Sequence, residues 1–266
     1  MQKRSKKTAT SQPSLGWNER VHYRDRLRAA RYAALADAEG FGDICFAIEA
    51  IGLRLRGEEA AMGPYAEQLR PLSIGSATLT QLAKSFPSFF TRFDALYEAV
   101  KNARNDAMHT GVYARHATTA AIELCIGLEE ALMKEQNHLP RQTVADYMVR
   151  APISVEHWQP VAHARQLMLM HSFSFLPVFL NHWMLVSEIA MAKYLHKSPN
   201  RKELLATPIG VAASSGLDLV PSNEIKESDS VETLLRSADT RQSPMLWLVT
   251  DEARRLAGVL SPFELM

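Results

Sequence analysis

Cysteine is almost absent: the 266 residues hold two, Cys45 and Cys125. Both fall within apolar runs of helical period and neither has the spacing of a zinc set. They read as small core residues in a reducing compartment, with no disulfide framework. Long apolar runs are missing too. The strongest stretch, residues 167–186, is broken by His171, Ser172, Ser174, Pro177, Asn181 and His182. That excludes a membrane helix and leaves a helix end, a strand, a turn and a second strand. The basic start runs into Thr, Ser, Gln and Pro where a secretory signal needs an apolar stretch. A cytoplasmic protein is expected, with no membrane partner.

Net charge is scarce as well, at +1, and with 47% apolar and 22% charged residues the chain has the make-up of an ordinary globular protein. Its length allows two modest domains. The charge is unevenly placed. Residues 1–31 hold nine Lys/Arg against Glu19 and Asp25, whereas residues 32–138 hold nine against fourteen acids. Residues 1–16 are polar and basic and are expected to be a disordered tail. A helix then begins near Asn18. Arg20, Arg24, Arg28 and Arg31 share one stripe of it, and Tyr23, Leu27, Ala30 and Ala34 a neighbouring one. The stripe reads either as an RNA-binding edge touching phosphates or as a solvated face. Gly40 and Gly42 interrupt the pattern; Ile44, Ala47, Ile48, Ile51 and Leu55 then mark another core-facing helix. Residues 57–75, with Gly63, Pro64 and Pro71, read as loop with a short helix.

The chain is organised around residues 88–132. Phe89, Phe93, Leu96, Tyr97 and Val100 mark one helical face, with Pro87 and Ser88 as its start. The pattern stops near Met108, and Gly111 can take the left-handed conformation that closes a helix. A second stripe follows at Ala117, Ala121, Leu124, Cys125, Leu128 and Leu132. Two long helices joined by a tight polar turn make an antiparallel hairpin of a bundle, ending near residues 136–138.

At that turn stands Arg104-Asn105-Asp106-Ala107-Met108-His109-Thr110-Gly111. On an unbroken helix Arg104 and His109 would diverge by roughly 140°. A helix ending between them would let His109 fold back, so that both reach one phosphate. That pairing suits cleavage of RNA by its own 2′-hydroxyl: the imidazole moves protons, and the guanidinium holds the phosphorane oxygens with a fork of donors. Asn105 would orient either group. No metal is required, because the nucleophile belongs to the substrate. The spacing alone is common, about two per chain by chance, and Arg150–His157 and Arg165–His171 also fit it. Only Arg104 is followed by Asn and lies between two long helices. The alternative is that Arg104 and His109 cap helix ends and bind nothing.

This stretch resembles the HEPN family of helical-bundle domains, whose hallmark is Arg, a polar residue that is often Asn, and His a few positions on. The flanking helices cover most of residues 40–136. The resemblance implies a metal-independent endoribonuclease that leaves a cyclic phosphate and acts as a homodimer, with two Arg/His sets facing each other. Its matched positions are Arg104, Asn105 and His109. Some relatives carry a modifiable Tyr two residues after the His; Gly111 stands there instead.

After the short linker Leu139-Pro140-Arg141 the texture changes to short β-rich runs around single helices. In a first copy, residues 143–149 lead to 152–155, then a helix at 160–171, strands at 173–180 and 183–186, and a helix from Glu188. In a second, residues 218–220 lead to Ile225, Asp229-Ser230 cap a helix through Leu234, and strands follow at 244–249 and 256–260. Val186-Ser187 and Leu260-Ser261 are offset by 74 residues, marking an internal repeat. This β-α-β-β-α duplication resembles the CBS-domain pair, with Phe175-Leu176-Pro177-Val178 and Gly258-Val259-Leu260-Ser261-Pro262 especially typical. The resemblance implies clefts for an adenine nucleotide (AMP, ADP or ATP) or an S-adenosylmethionine-like ligand. There a Ser/Thr after the last strand holds phosphate, and an Asp three residues on holds the ribose hydroxyls. Here Ser261 and Glu264 stand at those places in the second copy. In the first, Ser187 is followed by Ala190 in place of the acid. Trp158, Trp183 and Trp247 would stack on a base or pack in the core.

The expected fold class is therefore multidomain, α and α+β. A HEPN-like helical bundle at 17–138 precedes a tandem CBS pair at 139–266, with copies at about 143–197 and 216–266. The expected function is a ribonuclease regulated by an adenosyl ligand, in stress response, growth arrest or phage defence by analogy. The alternative is a non-catalytic nucleotide-sensing regulator that binds RNA or a protein.

Overall fold

The second stripe of the hairpin closes as its period demands. Ala117, Ala121, Leu124, Cys125, Leu128 and Leu132 are all essentially sealed from solvent, as one face of a helix with apolar residues three and four apart should be. In a computed structural model that describes residues 14–110, 115–134, 142–238 and 245–266, together with backbone alone at 38, 108–110 and 115–116, the chain divides into two units, Met1–Leu139 and Pro140–Met266. Residues 1–13 of the basic tail, Gly111, the linker at 139–141 and the bundle's end at 136–138 lie outside the described residues; Leu15, expected in the tail, is buried in the helical core.

The first unit contains α1 (Trp17–Ala36), a 3-10 turn, α2 (Phe41–Arg56), α3 (Met62–Ser73), a π-turn (Thr78–Leu82), the single turn α4 (Ala83–Ser85), α5 (Phe93–Thr110) and α6 (Arg115–Met133). One core joins them. Leu27, Ile44, Ile48, Ile51, Leu69, Val100, Leu124 and Leu128 meet in its centre, none of them accessible. Helix α6 is the hub, packed on α1, α5 and α2. Its Gly127 lets the π-turn approach: an added Cβ there would stand 2.3 Å from Leu79 Cγ.

Three expectations change. Residues 57–75 hold a twelve-residue helix, α3, rather than mostly loop; Pro64 falls in its first turn, where a missing N–H costs nothing, and Pro71 near its end. Gly42 lies inside α2 instead of interrupting it. The central helix starts at Phe93, not at Ser88. Pro87 and Ser88 form a turn in which Phe86 C=O accepts from the amides of Phe89 (3.0 Å) and Phe90 (3.1 Å), and Phe89 is 81% exposed.

The second unit runs α7 (Val144–Tyr147), β1 (Val149–Arg150), β2 (Val155–Glu156), α8 (Val161–His171), β3 (Phe175–Phe179), β4 (Trp183–Ser187), α9 (Glu188–His196), α10 (Arg201–Ala206), α11 (Ile209–Ser214), β5 (Leu219–Pro221), β6 (Asn223–Ile225), α12 (Val231–Ser237), β7 (Trp247–Thr250), β8 (Leu256–Leu260) and a closing 3-10 turn (Pro262–Leu265). The two sheets have the orders β1-β8-β7-β6 and β2-β3-β4-β5. Each copy therefore lends its opening strand to the other's sheet: β1 pairs antiparallel with β8, and β5 with β4. Gly258 makes the first exchange possible, since a Cβ there would lie 2.9 Å from Val149 O.

The exchange extends to the short helices. Val144 N donates to Asp229 O and Ala145 N to Glu227 O, while Ile209 N donates to Gln159 O and Gly210 N to His157 O. Val231 N reaches Gln142 O just as Val161 N reaches Thr207 O. Helices α7 and α11 are thus counterparts, and the second copy opens at Pro208 rather than at 216. Trp183, Leu185 and Leu248 form a small core drawn from both sheets. Trp183 and Trp247 are both buried, whereas Trp158 is exposed. Among the described residues no helix is long and apolar enough to cross a membrane.

Candidate functional site

Arg104 and Asn105 lie in the last two turns of α5, which runs unbroken through Thr110. The helix thus does not end between Arg104 and His109, as the fold-back geometry requires. Their positions stand roughly 140° apart around one helix, and within one chain they do not share a face. The side chain of His109 lies outside the described residues.

Arg104 is held from α2. One guanidinium nitrogen lies 2.9 Å from Glu49 Oε1, with the two side chains 29% and 20% exposed. The carboxylate oxygen is poorly aligned with any N–H, so the contact is an ion pair rather than a good hydrogen bond. A guanidinium has five donors in a planar fork, so this contact orients Arg104 without exhausting it. Asn105 beside it is exposed. One turn before Glu49, burial and then the Glu49 carboxylate push the Cys45 thiol up to about 12, against the pull of Arg104. It stays protonated at neutral pH and is no nucleophile.

The arginine stripe of α1 is turned inward, and the expected RNA-binding edge is corrected accordingly. Arg20 donates to Leu15 O (3.3 Å) and to the carbonyls of Ala131 (3.4 Å) and Leu132 (3.1 Å) at the end of α6. A cation there satisfies open carbonyls and opposes the negative end of the helix dipole. Arg24 is 2% exposed and donates to Asp25 and Met133 Sδ; Arg28 is also buried. Arg31 grips Glu129 by two bonds of 2.8 and 3.0 Å. These side chains fasten α1 to α6.

A second anchor was not visible in the sequence. Glu130 receives Ser76 Oγ (2.6 Å), Thr78 Oγ1 (2.7 Å) and the amides of Ala77 (2.8 Å) and Thr78 (3.3 Å). Burial raises its pKa, but these donors lower it further, and the carboxyl ends below its ordinary value. Such a group stabilises the fold fully above its unfolded pKa, and the benefit fades as pH falls through the depressed folded value. Glu130→Gln is therefore expected to lower the thermal midpoint near neutral pH and to converge on the wild type under acid. Melting curves between pH 7 and 3 test this, and a constant gap across that range would contradict it.

In the second unit Ser261 and Ser187 occupy equivalent places, Ser261 just after β8 and Ser187 at the end of β4. Ser187 caps α9, accepting from Ala190 N at 3.1 Å. Ser261 accepts from Phe263 N (3.2 Å), while its own N (2.8 Å) and Oγ (2.5 Å) donate to Glu264 Oε2. Ser261 and Glu264 thus form a closed capping box. A hydroxyl at such a helical start fits an anion, and the second copy supplies an acid beside it. To meet a ribose diol, Glu264 must first give up the Ser261 amide and hydroxyl. The first copy has only Ala190, 7% exposed, and offers no acid at that place.

The sequence matches no protein-family model and no curated protein. Solved structures similar to it include a protein assigned to acetoin utilization (AcuB) from Vibrio cholerae, at 14% identity over 47% of this chain and 88% of that one, with a TM-score of 0.39. CBSX2 in complex with AMP is 18% identical over 46% of this chain and 91% of that one, TM-score 0.37. The CBS domain pair of MJ0100, in complex with 5′-methylthioadenosine and S-adenosyl-L-methionine, is 16% identical over 47% and 94%, TM-score 0.35. Likeness this distant transfers neither ligand nor activity. The second unit is an α+β region of two copies that exchange their opening strands. The first is a helical region.

Proposed function

We propose that the protein is a HEPN-type, metal-independent endoribonuclease acting as a homodimer, governed by an adenosyl ligand on its CBS-like unit. The observation that carries this reading is Arg104, oriented by Glu49 and still partly open to solvent, followed by exposed Asn105 at the end of α5 where the hairpin turns. In the reaction, the substrate's 2′-oxygen attacks the adjacent phosphorus, the bond to the 5′-oxygen breaks, and a 2′,3′-cyclic phosphate remains. His109 moves protons at the attacking or leaving oxygen. The Arg104 fork meets the charge that builds on the phosphorane. Because the two positions diverge on one helix, the phosphate is gripped by Arg104 and His109 from facing chains.

The ligand would sit with a phosphate at Ser261 and its ribose at Glu264, and would favour one arrangement of the dimer over another by binding it more tightly. Ser187 would anchor phosphate only. The biological setting suggested by analogy is growth arrest, stress response or phage defence.

The test is incubation of the full chain with mixed cellular RNA, with and without EDTA. Chelator-insensitive fragmentation that survives His116→Ala and disappears in His109→Ala is expected; equal activity in both variants would overturn the assignment. One observation favours a second reading, a non-catalytic regulator that binds RNA or protein: the Arg104–Glu49 contact also suits a purely structural link between α2 and α5. A cellular effect retained in full by Arg104→Ala/His109→Ala would select it.

A further inference from the structure

Between Glu67 and Asp94 the chain holds no acidic residue, only the cations Arg70, Lys84 and Arg92. Within this stretch the turn before α5 puts Phe86 (52% exposed) and Phe89 (81%) in solvent, with exposed Lys84 on one side and exposed Arg92 on the other. The turn is not loosely held. Phe86 N donates to Leu82 O at 2.7 Å, and Phe86 O accepts from both Phe89 N and Phe90 N. Pro87, at its second position, fixes the backbone. Two large aromatic side chains thus stand in solvent three residues apart, with a cation at either end of the stretch.

The acids that come near are already engaged. Asp94 is held by Arg70 at 2.9 Å, and the Glu130 carboxylate is enclosed by the donors at Ser76, Ala77 and Thr78. Among the described residues neither Lys84 nor Arg92 has an ion-pair partner. The local field is therefore positive, and the two rings within it are carried on a hydrogen-bonded turn. An aliphatic protein groove would use the rings but leave the flanking cations unpaired. A single-stranded nucleic acid uses both parts: bases stack on the rings, and phosphates meet the flanking cations.

We propose that the turn at residues 84–92 is a stacking platform for single-stranded RNA, Phe86 and Phe89 each taking a base and Lys84 and Arg92 the phosphates on either side. This rests on the proposed action on RNA and supplies the contact surface that the inward-turned arginines of α1 do not. Some 16 residues of α5 separate Phe93 from His109, a rise of about 24 Å at 1.5 Å per residue. A strand held at the turn therefore approaches the Arg104 end over several nucleotides.

The test uses a labelled 2′-O-methyl RNA oligonucleotide, which lacks the attacking hydroxyl, so binding is read without cleavage. Phe86→Ala/Phe89→Ala is expected to weaken binding by the full chain at least about tenfold, since each stacked base contributes around that factor or more. Phe89→Trp should bind as well as the wild type and Phe89→Leu should not, which separates stacking from apolar contact. Arg92→Gln should reduce the salt dependence by about one counterion. Both rings are exposed, so the circular dichroism melt should not move. Unchanged affinity in the double alanine variant, no binding by the wild type, or a change in sedimentation instead of affinity would each overturn the platform. If binding falls as expected but the wild type cleaves no RNA, the platform stands and the nuclease reading fails. Cleavage with unaltered binding in the double variant gives the reverse.

Discussion

Arg104→Lys is expected to cost about 10²-fold or more in single-turnover RNA cleavage, close to the loss in Arg104→Ala. Lysine keeps the charge and can still meet Glu49, but it replaces a planar fork with a point donor, and removing one donor from a charge-stabilising set costs about 10²–10³ in rate. His109→Ala should lose about 10²–10⁴-fold for want of a proton carrier. The comparison separates chemistry from architecture. A purely structural Arg104, linking α2 to α5 through Glu49, is satisfied by lysine, so that variant would then be fully active and only alanine would lower the melting temperature. Glu49→Gln should have the smaller effect, because the guanidinium loses its anchor but keeps its donors. Full activity in Arg104→Lys would contradict a phosphate-holding role.

Glu129→Ala is expected to destabilise the helical unit by about 3 kcal/mol. Its carboxylate accepts two bonds from Arg31, and the side chains are only 13% and 17% exposed. Truncating one partner strands a desolvated guanidinium, which costs far more than the pair contributes. The hydrogen bond to Glu129 raises the Arg31 pKa against the opposing effect of burial. Replacing both residues at once, as Arg31→Met/Glu129→Leu, should recover most of the loss. Urea unfolding of the full chain would show the difference in the transition of the helical unit. A loss below about 0.5 kcal/mol, the range of exposed pairs, would mean that Arg31 and Glu129 do not fasten α1 to α6.

The parts of this fold that the sequence made legible are those set by a long apolar period. The stripe of α6 is buried at every position, and β4 and β8 begin and end within a residue of their expected limits. Misreadings arose where one residue type serves two environments. Phe89 continues the phase of Phe93 and Leu96, yet Pro87 had already built a turn, and the ring stands in solvent. The arginines of α1 are spaced like a solvated or RNA-facing edge. What turns them inward is the end of α6, whose carbonyls and Glu129 lie more than ninety residues away, and no local pattern reports such a partner. Gly63, Pro64 and Pro71 read as breakers, although two prolines fit the ends of α3. Helix α11 escaped notice because its six residues are small and carry almost no period; only the exchanged hydrogen bonds reveal it as the counterpart of α7.

The candidate site was legible to a similar extent. Arg104-Asn105 and His109 could be found from their place between two long helices, but the partner that orients Arg104 comes from α2 and has no sequence signature. Ser261 and Glu264 were found by their position after the repeated strand. That they close on each other is a property of the 3-10 turn, visible only in the folded chain.

The chemical nature of the 3′ ends of RNA fragments released by the full chain in excess chelator tests the central claim most directly. Attack by the substrate's own 2′-hydroxyl predicts 2′,3′-cyclic phosphate ends that vanish with His109→Ala. Fragments ending in a 3′-hydroxyl, or intact RNA under all ligand conditions, would contradict it.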